Sequence, residues 1–344
     1  MTRLAAAVLC LPVLVTGPVA GPRWAAPPAA HAVQGLPRTY LVVISGVSGE
    51  TRFAEAFAAM GVSLVEAAQS RFAIPDSSVW YLAEDSTRDA KHMRGRSTKV
   101  AVEAVLTRIV AAAADGDRIV VIVLGHGSTQ GAESRLNLPG PDMTAADFAR
   151  LLAPAKATTV FANTTSASGE FIKALSGPRR VVITATKSGR EQNETYFPAF
   201  FVRALVSETG DVDKDGRVSM LEAFTYARRE VEKRFEQSSL LPTEHPMLDD
   251  DGDGIGHGDA GDKGPDGARA RTFYLAPLGG AAAAADPRAV TLLAERRAID
   301  ARIDALRSRR GELTEDAYQR ALEPLLVELA EKTRALRALE GKKP

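Results

Sequence analysis

The chain has 344 residues, with 43 basic and 43 acidic side chains and a formal net charge of zero. That balance gives no electrostatic reason for nucleic acid or an acidic membrane surface as a partner. The chain is long enough to bury a full core, and its single cysteine, Cys10, excludes a disulfide framework.

Arg3 precedes an apolar run, and small residues follow, ending in Ala30-His31-Ala32. This reads as a secretory signal over 1–32, cleaved after Ala32, and so as export to the medium or the periplasm. The run is broken by Pro12 and Pro18 and is short for a bilayer span. The alternative is an uncleaved anchor. No later stretch is apolar enough to span a bilayer, so the mature chain is read without one. Cys10 lies in the signal, which leaves the mature chain without a thiol. The Ala-rich bias points to a GC-rich bacterial genome.

TYLVVISG (39–46) is a short apolar run and predicts a buried strand. In 50–68, Phe53, Phe57, Met60 and Val65 stand near helical spacing. SVWYLAED (78–85) predicts a second strand. A Ser/Thr cap opens a helix over 97–113. RIVVIVLGHGS (118–128) is the strongest strand signal. A short helix (144–153), a strand (158–165), a helix (168–176), a strand (180–189) and a helix (197–208) follow. Strands alternating with helices predict an α/β fold with a mostly parallel sheet covered on both faces. Ligands bind such sheets beyond the carboxyl ends of the strands. Three of those ends carry small polar turns, GHGS, NTTSASG and TKSG, which are expected side by side on one rim.

After residue 247 the composition becomes rich in Asp and Gly. RTFYLAP (271–277) predicts one further strand. Residues 279–286 read as a linker between an α/β domain (33–278) and a helical hairpin (287–344). Leu292, Ile299, Ile303, Leu306 and Leu313 form one apolar seam. Tyr318, Leu322, Leu325, Leu329, Leu336 and Leu339 form another. Steps of three, four and seven mark a coiled-coil-like stripe, open to a helix-mediated partner. Pro324 is expected to kink the second helix or shift its start.

DVDKDGRVSMLE (211–222) matches an EF-hand-type calcium loop at every key position. Asp211, Asp213 and Asp215 supply carboxylates at positions 1, 3 and 5, and Gly216 allows the turn at 6. Arg217 offers its backbone carbonyl at 7, Ser219 stands at 9, and Glu222 closes at 12. A hard cation with six to eight oxygen ligands needs this density of carboxylates, so calcium is the expected cofactor. Asp249, Asp251 and Asp253 begin a second, Asp/Gly-rich run (249–262). It lacks the closing carboxylate, with Ala260 at position 12, and Asp259 and Asp262 as possible substitutes. The alternative for either run is an acidic loop that binds nothing. A zinc role for His126 with His245 and His257 has no paired histidine spacing or cysteine behind it.

His126, flanked by glycines at a strand end, has the placement of a site residue. The next strand ends in VFANTTSASGEF, with four hydroxyls and no cysteine. Taken together, VVIVLGHGS and VFANTTSASGEF resemble the caspase–legumain group of cysteine peptidases. In that group His-Gly ends one strand and Ala-Cys-x-Ser-Gly the next. The resemblance covers about residues 38 to 277 and includes SGREQNE (188–194). It implies a caspase-like three-layer sandwich. It also implies that His126 is the catalytic histidine, that the N–H of Gly127 is an oxyanion donor, and that Ser166 occupies the nucleophile position. A serine hydroxyl is not acidic enough to ionise as a thiol does, and needs a base oriented by a third group. The sequence identifies no such carboxylate. The implied function is an exported, calcium-binding, catalytically degenerate peptidase homologue that binds a peptide or protein at the sheet rim. The alternatives are an active Ser/His hydrolase on the same fold and an assembly protein working through the hairpin.

Overall fold

The computed structural model describes residues 37–131, 133–213, 217–261, 265–275, 287–308 and 313–339. The expected signal segment, the 279–286 linker, Asp215, Gly216 and Asp262 lie outside them.

The centre is a 7-stranded sheet in the order β10-β9-β8-β4-β1-β2-β3. Its strands are β1 (Thr39–Ser45), β2 (Val79–Ala83), β3 (Gly95–Arg96), β4 (Arg118–Leu124), β8 (Thr158–Asn163), β9 (Arg180–Thr184) and β10 (Met247–Asp249). All pairings are parallel except β10 on β9. Along each central strand, alternate residues enter opposite cores, as the pleat requires. Leu41 and Val43 of β1 join one core with Val120, Val160 and Val181, while Val42 and Ile44 join the other with Val121, Phe161 and Val182. Both faces are therefore covered, which is why the middles of these strands read as continuous apolar runs rather than alternating.

One helix layer is formed by α1 (Thr51–Ser70), α5 (Phe197–Val206) and α6 (Met220–Gln237). The opposite layer is α2 (Lys99–Ala112), α3 (Ala145–Leu152) and α4 (Glu170–Leu175). The caps follow the local chemistry. Thr98 accepts from Ala101 N–H to start α2, and Thr144 with Asp147 forms a capping box on α3. The result is the expected three-layer α/β sandwich with a mostly parallel sheet. No helix among the described residues is long and apolar enough to cross a membrane.

Several local expectations differ. Within the strand expected over 271–277, Arg271 and Thr272 instead end the short helix α7 (Ala268–Thr272), Tyr274 makes a single bridge to Ser219, and residues 276 and 277 lie outside the described residues. Asp250 decides this: its carboxylate accepts the N–H groups of Gly267 and Ala270 and caps a helix there. A separate 3-stranded sheet of β5 (Gly127–Gln130), β6 (Glu133–Leu136) and β7 (Met143–Thr144) carries no apolar run and is not apparent in the sequence. The hairpin consists of α8 (Pro287–Ser308) and α9 (Glu315–Leu339), joined by Ile299, Ile303 and Leu325 with Leu306, Leu322 and Leu329. Pro324 neither delays nor interrupts α9, which runs through it. Pro324 itself is exposed.

Candidate functional site

The order β9-β8-β4-β1 sets the chain ends of these parallel strands next to one another. The three small polar turns therefore share one rim, as expected. Beyond β4, Gly125 takes φ +139, where a side chain would press on the Gly46 backbone at 3.1 Å. This bend delivers His126 and Gly127 to the rim. Beyond β8, Asn163 accepts from the N–H and the hydroxyl of Thr165, and Thr164 is tied by N–H and hydroxyl to the Val123 carbonyl. Ala167 follows in the left-handed region at φ +52, its N–H donated to the Glu191 carbonyl at 2.7 Å. Ser168 and Thr186 bond to each other and lock the turn to the end of β9.

This packing accounts for two glycines. A Cβ on Gly127 would lie 2.2 Å from the Ser166 carbonyl oxygen. A Cβ on Gly169 would lie 2.2 Å from the Ser188 nitrogen. The turns after β4, β8 and β9 approach too closely for side chains at those points.

Ser166 is buried, at 3% exposure. Its Oγ accepts the Gly127 N–H at 3.2 Å and donates to the Gly127 carbonyl at 3.0 Å. The hydroxyl is thus committed to the same residue that carries the expected oxyanion donor. His126 is half-buried, and its ring meets Phe53 and Phe57 edge-on, with centroids at 4.5 Å and 5.4 Å. Among the described residues no hydrogen bond joins His126 to Ser166, and no carboxylate orients its ring. The other described histidines each bond a carboxylate: His92 to Asp89, His245 to Glu191 and His257 to Asp266. The arrangement brings His126, Gly127 and Ser166 together on one rim but does not connect them as a proton relay.

Two further carboxylates support the rim and were not singled out from sequence. Glu191 accepts the N–H of Lys187 and of His245, besides its bond to the His245 ring. Glu244 is 2% exposed and caps α5, accepting the N–H groups of Tyr196 and Phe197. Burial pushes its carboxyl up to about 7, with Glu191 and Glu194 adding to the rise against the two N–H donors. The SGREQNE stretch was the only sequence signal near them.

In the first acidic loop, Asp211, Asp213 and Glu222 place carboxylate oxygens within 4.8 Å of one another. Ser219 and Glu222 form a capping box on α6, and the other Glu222 oxygen accepts the N–H groups of Val212 and Asp213. The Arg217 guanidinium lies 3.6 Å over the Tyr274 ring. Hard oxygen donors grouped around a helix start suit a divalent cation such as calcium.

The second loop also groups three carboxylates, Asp249, Asp251 and Asp253. Asp249 is buried and accepts from Gly252 and Gly254, and burial raises its carboxyl. Asp266, which the sequence did not mark, is buried and accepts the N–H of Asp250 and Asp251 and bonds His257. Among the described residues, no cluster of metal-ligand type contains a histidine, so His126, His245 and His257 do not converge.

No family model matches this chain, and no curated protein matches it. Among solved structures, a protein from Geobacter sulfurreducens is similar at 12% identity and a TM-score of 0.41, over 62% of this chain and 93% of that one. The Drosophila initiator caspase Dronc is similar at 10% identity and a TM-score of 0.40, over 62% of this chain and 80% of that one. At such scores neither likeness bears on the chemistry of the rim.

Proposed function

We propose that this chain is an exported, caspase/legumain-like domain that has lost peptidase chemistry and acts by binding a peptide or protein at the sheet rim. The observation that carries this reading is the reciprocal pairing of Ser166 with Gly127. A nucleophile must reach its base and leave the oxyanion donor free for substrate. Ser166 does neither: it faces the Gly127 backbone, and His126 is packed against phenyl rings. The hydroxyl-rich turn keeps the shape of a site while its hydroxyls are engaged by the backbone and by neighbouring side chains.

Calcium belongs to the same proposal. Asp211, Asp213, Asp215, Ser219, Glu222 and the Arg217 carbonyl would hold one ion, with Asp249, Asp251 and Asp253 a second candidate set. The ion would act structurally, fixing the loop between α5 and α6 on the layer behind the rim.

The test is labelling with a serine-reactive fluorophosphonate, alongside hydrolysis of peptide and ester substrates, with calcium and with chelator. The expected result is no label and background hydrolysis. Hydrolysis that disappears in Ser166→Ala would overturn the reading and make the protein a serine-type hydrolase.

A further inference from the structure

Arg52 lies in the first turn of α1, the helix that follows β1, and Glu194 lies in the segment after β9. Their side chains meet, Arg52 Nη1 donating to Glu194 Oε2 at 3.2 Å, and Arg52 Nε also donates to Glu50 at 2.9 Å. The sheet order places β8 and β4 between β9 and β1. Arg52 and Glu194 thus meet beyond the carboxyl ends of β1 and β9, the strands that flank β4 and β8, whose ends carry His126 and Ser166. Both anchors touch the site. The Arg52 guanidinium sits 4.0 Å over the Phe53 ring, and Phe53 abuts His126. Next to Glu194, Thr195 donates its hydroxyl to the Thr164 carbonyl in the turn that carries Ser166.

We infer that the Arg52–Glu194 ion pair is a strap across the rim that restricts access to His126 when closed. Both partners are substantially exposed, at 61% and 41% of their side chains. An exposed pair is weak and is screened by salt, so the strap opens readily. A charged ligand that competes for Arg52 or Glu194 opens it in the same way. The strap is independent of what the rim binds, so its test reads access alone and leaves the peptidase question to the labelling assay.

The measurement is the rate of diethyl pyrocarbonate modification of His126, read by peptide mass mapping of the full chain. Wild type, Arg52→Ala, Glu194→Gln and the double variant are compared at low and high salt, with His257 as internal reference. Each single variant is expected to raise the His126 rate about two- to fivefold at low salt, the range open to an exposed ion pair. The double variant is expected to match the singles, and high salt to bring wild type up to them. Arg52→Lys retains the charge and is expected to stay near wild type. Equal rates in all proteins at low salt would overturn the strap. So would a salt response as large in Arg52→Ala as in wild type.

Discussion

Ser166 and Gly127 satisfy each other: one hydroxyl accepts the glycine N–H and donates to the glycine carbonyl across 39 positions of sequence. The pair joins the ends of β4 and β8 in a buried place. Ser166→Ala removes both bonds at once and leaves two backbone groups without partners. The expected loss is about 1–3 kcal/mol per orphaned group, less whatever water recovers. Denaturant unfolding of the variant checks it, alongside unchanged background hydrolysis. A variant as stable as wild type would show that the pairing contributes nothing.

Calcium is expected to stabilise the full chain. A ligand that binds only the native state adds about 2.7 kcal/mol at a hundredfold excess over its dissociation constant. Thermal melts with calcium and with chelator measure this for wild type and Asp213→Asn. Thr144→Ala serves as the control, since losing the N-cap of α3, in the opposite helix layer, costs about 1 kcal/mol with or without calcium. A wild-type melt indifferent to calcium rules out a filled structural site.

Glu244 makes stability depend on pH. Its carboxyl is raised from 4.5 to about 7 by burial. Between those values the folded chain keeps a proton that the unfolded chain has released. The stability associated with this group is therefore intact below about 4.5 and falls as pH rises through about 7. The gap corresponds to about 3 kcal/mol. Glu244→Gln removes the titration while keeping an acceptor for one of the two N–H groups at the start of α5. Its stability profile from pH 5 to pH 8 is expected to fall less than that of wild type. Parallel profiles would assign the slope to other groups.

The hairpin is expected to be separable. Its seam of Ile299, Ile303 and Leu325 forms a cluster of its own, distinct from both faces of the sheet. A chain ending at residue 280 should keep a cooperative unfolding transition and remain soluble. In the full chain, Leu325→Ala is expected to destabilise the hairpin by about 2–5 kcal/mol, as large-to-small core changes do. Aggregation of the shortened chain would make the hairpin part of the main core.

Short-range pattern was enough for the α/β layers. Residues 40–44 and 119–124 are apolar without a break because both of their faces are buried, and a continuous apolar run bounded by polar turns is a local signal. The seams of α8 and α9 were legible for the same reason, and so was the neighbourhood of His126 and Ser166, since parallel strands bring their carboxyl ends to one side. What lay between those residues was not legible. The direction of the Ser166 hydroxyl, the absence of a carboxylate at His126 among the described residues, and the Arg52–Glu194 link all depend on positions far apart in the chain, and composition does not encode their distances. The same holds for the helix at 268–272. RTFYLAP (271–277) reads as a strand, but the carboxylate of Asp250, just after β10, accepts the Ala270 N–H and a helix runs to Thr272. Local periodicity decided which segments bury apolar surface. Hydrogen-bond satisfaction of buried polar groups, which depends on tertiary neighbours, decided where the Ser166 hydroxyl points.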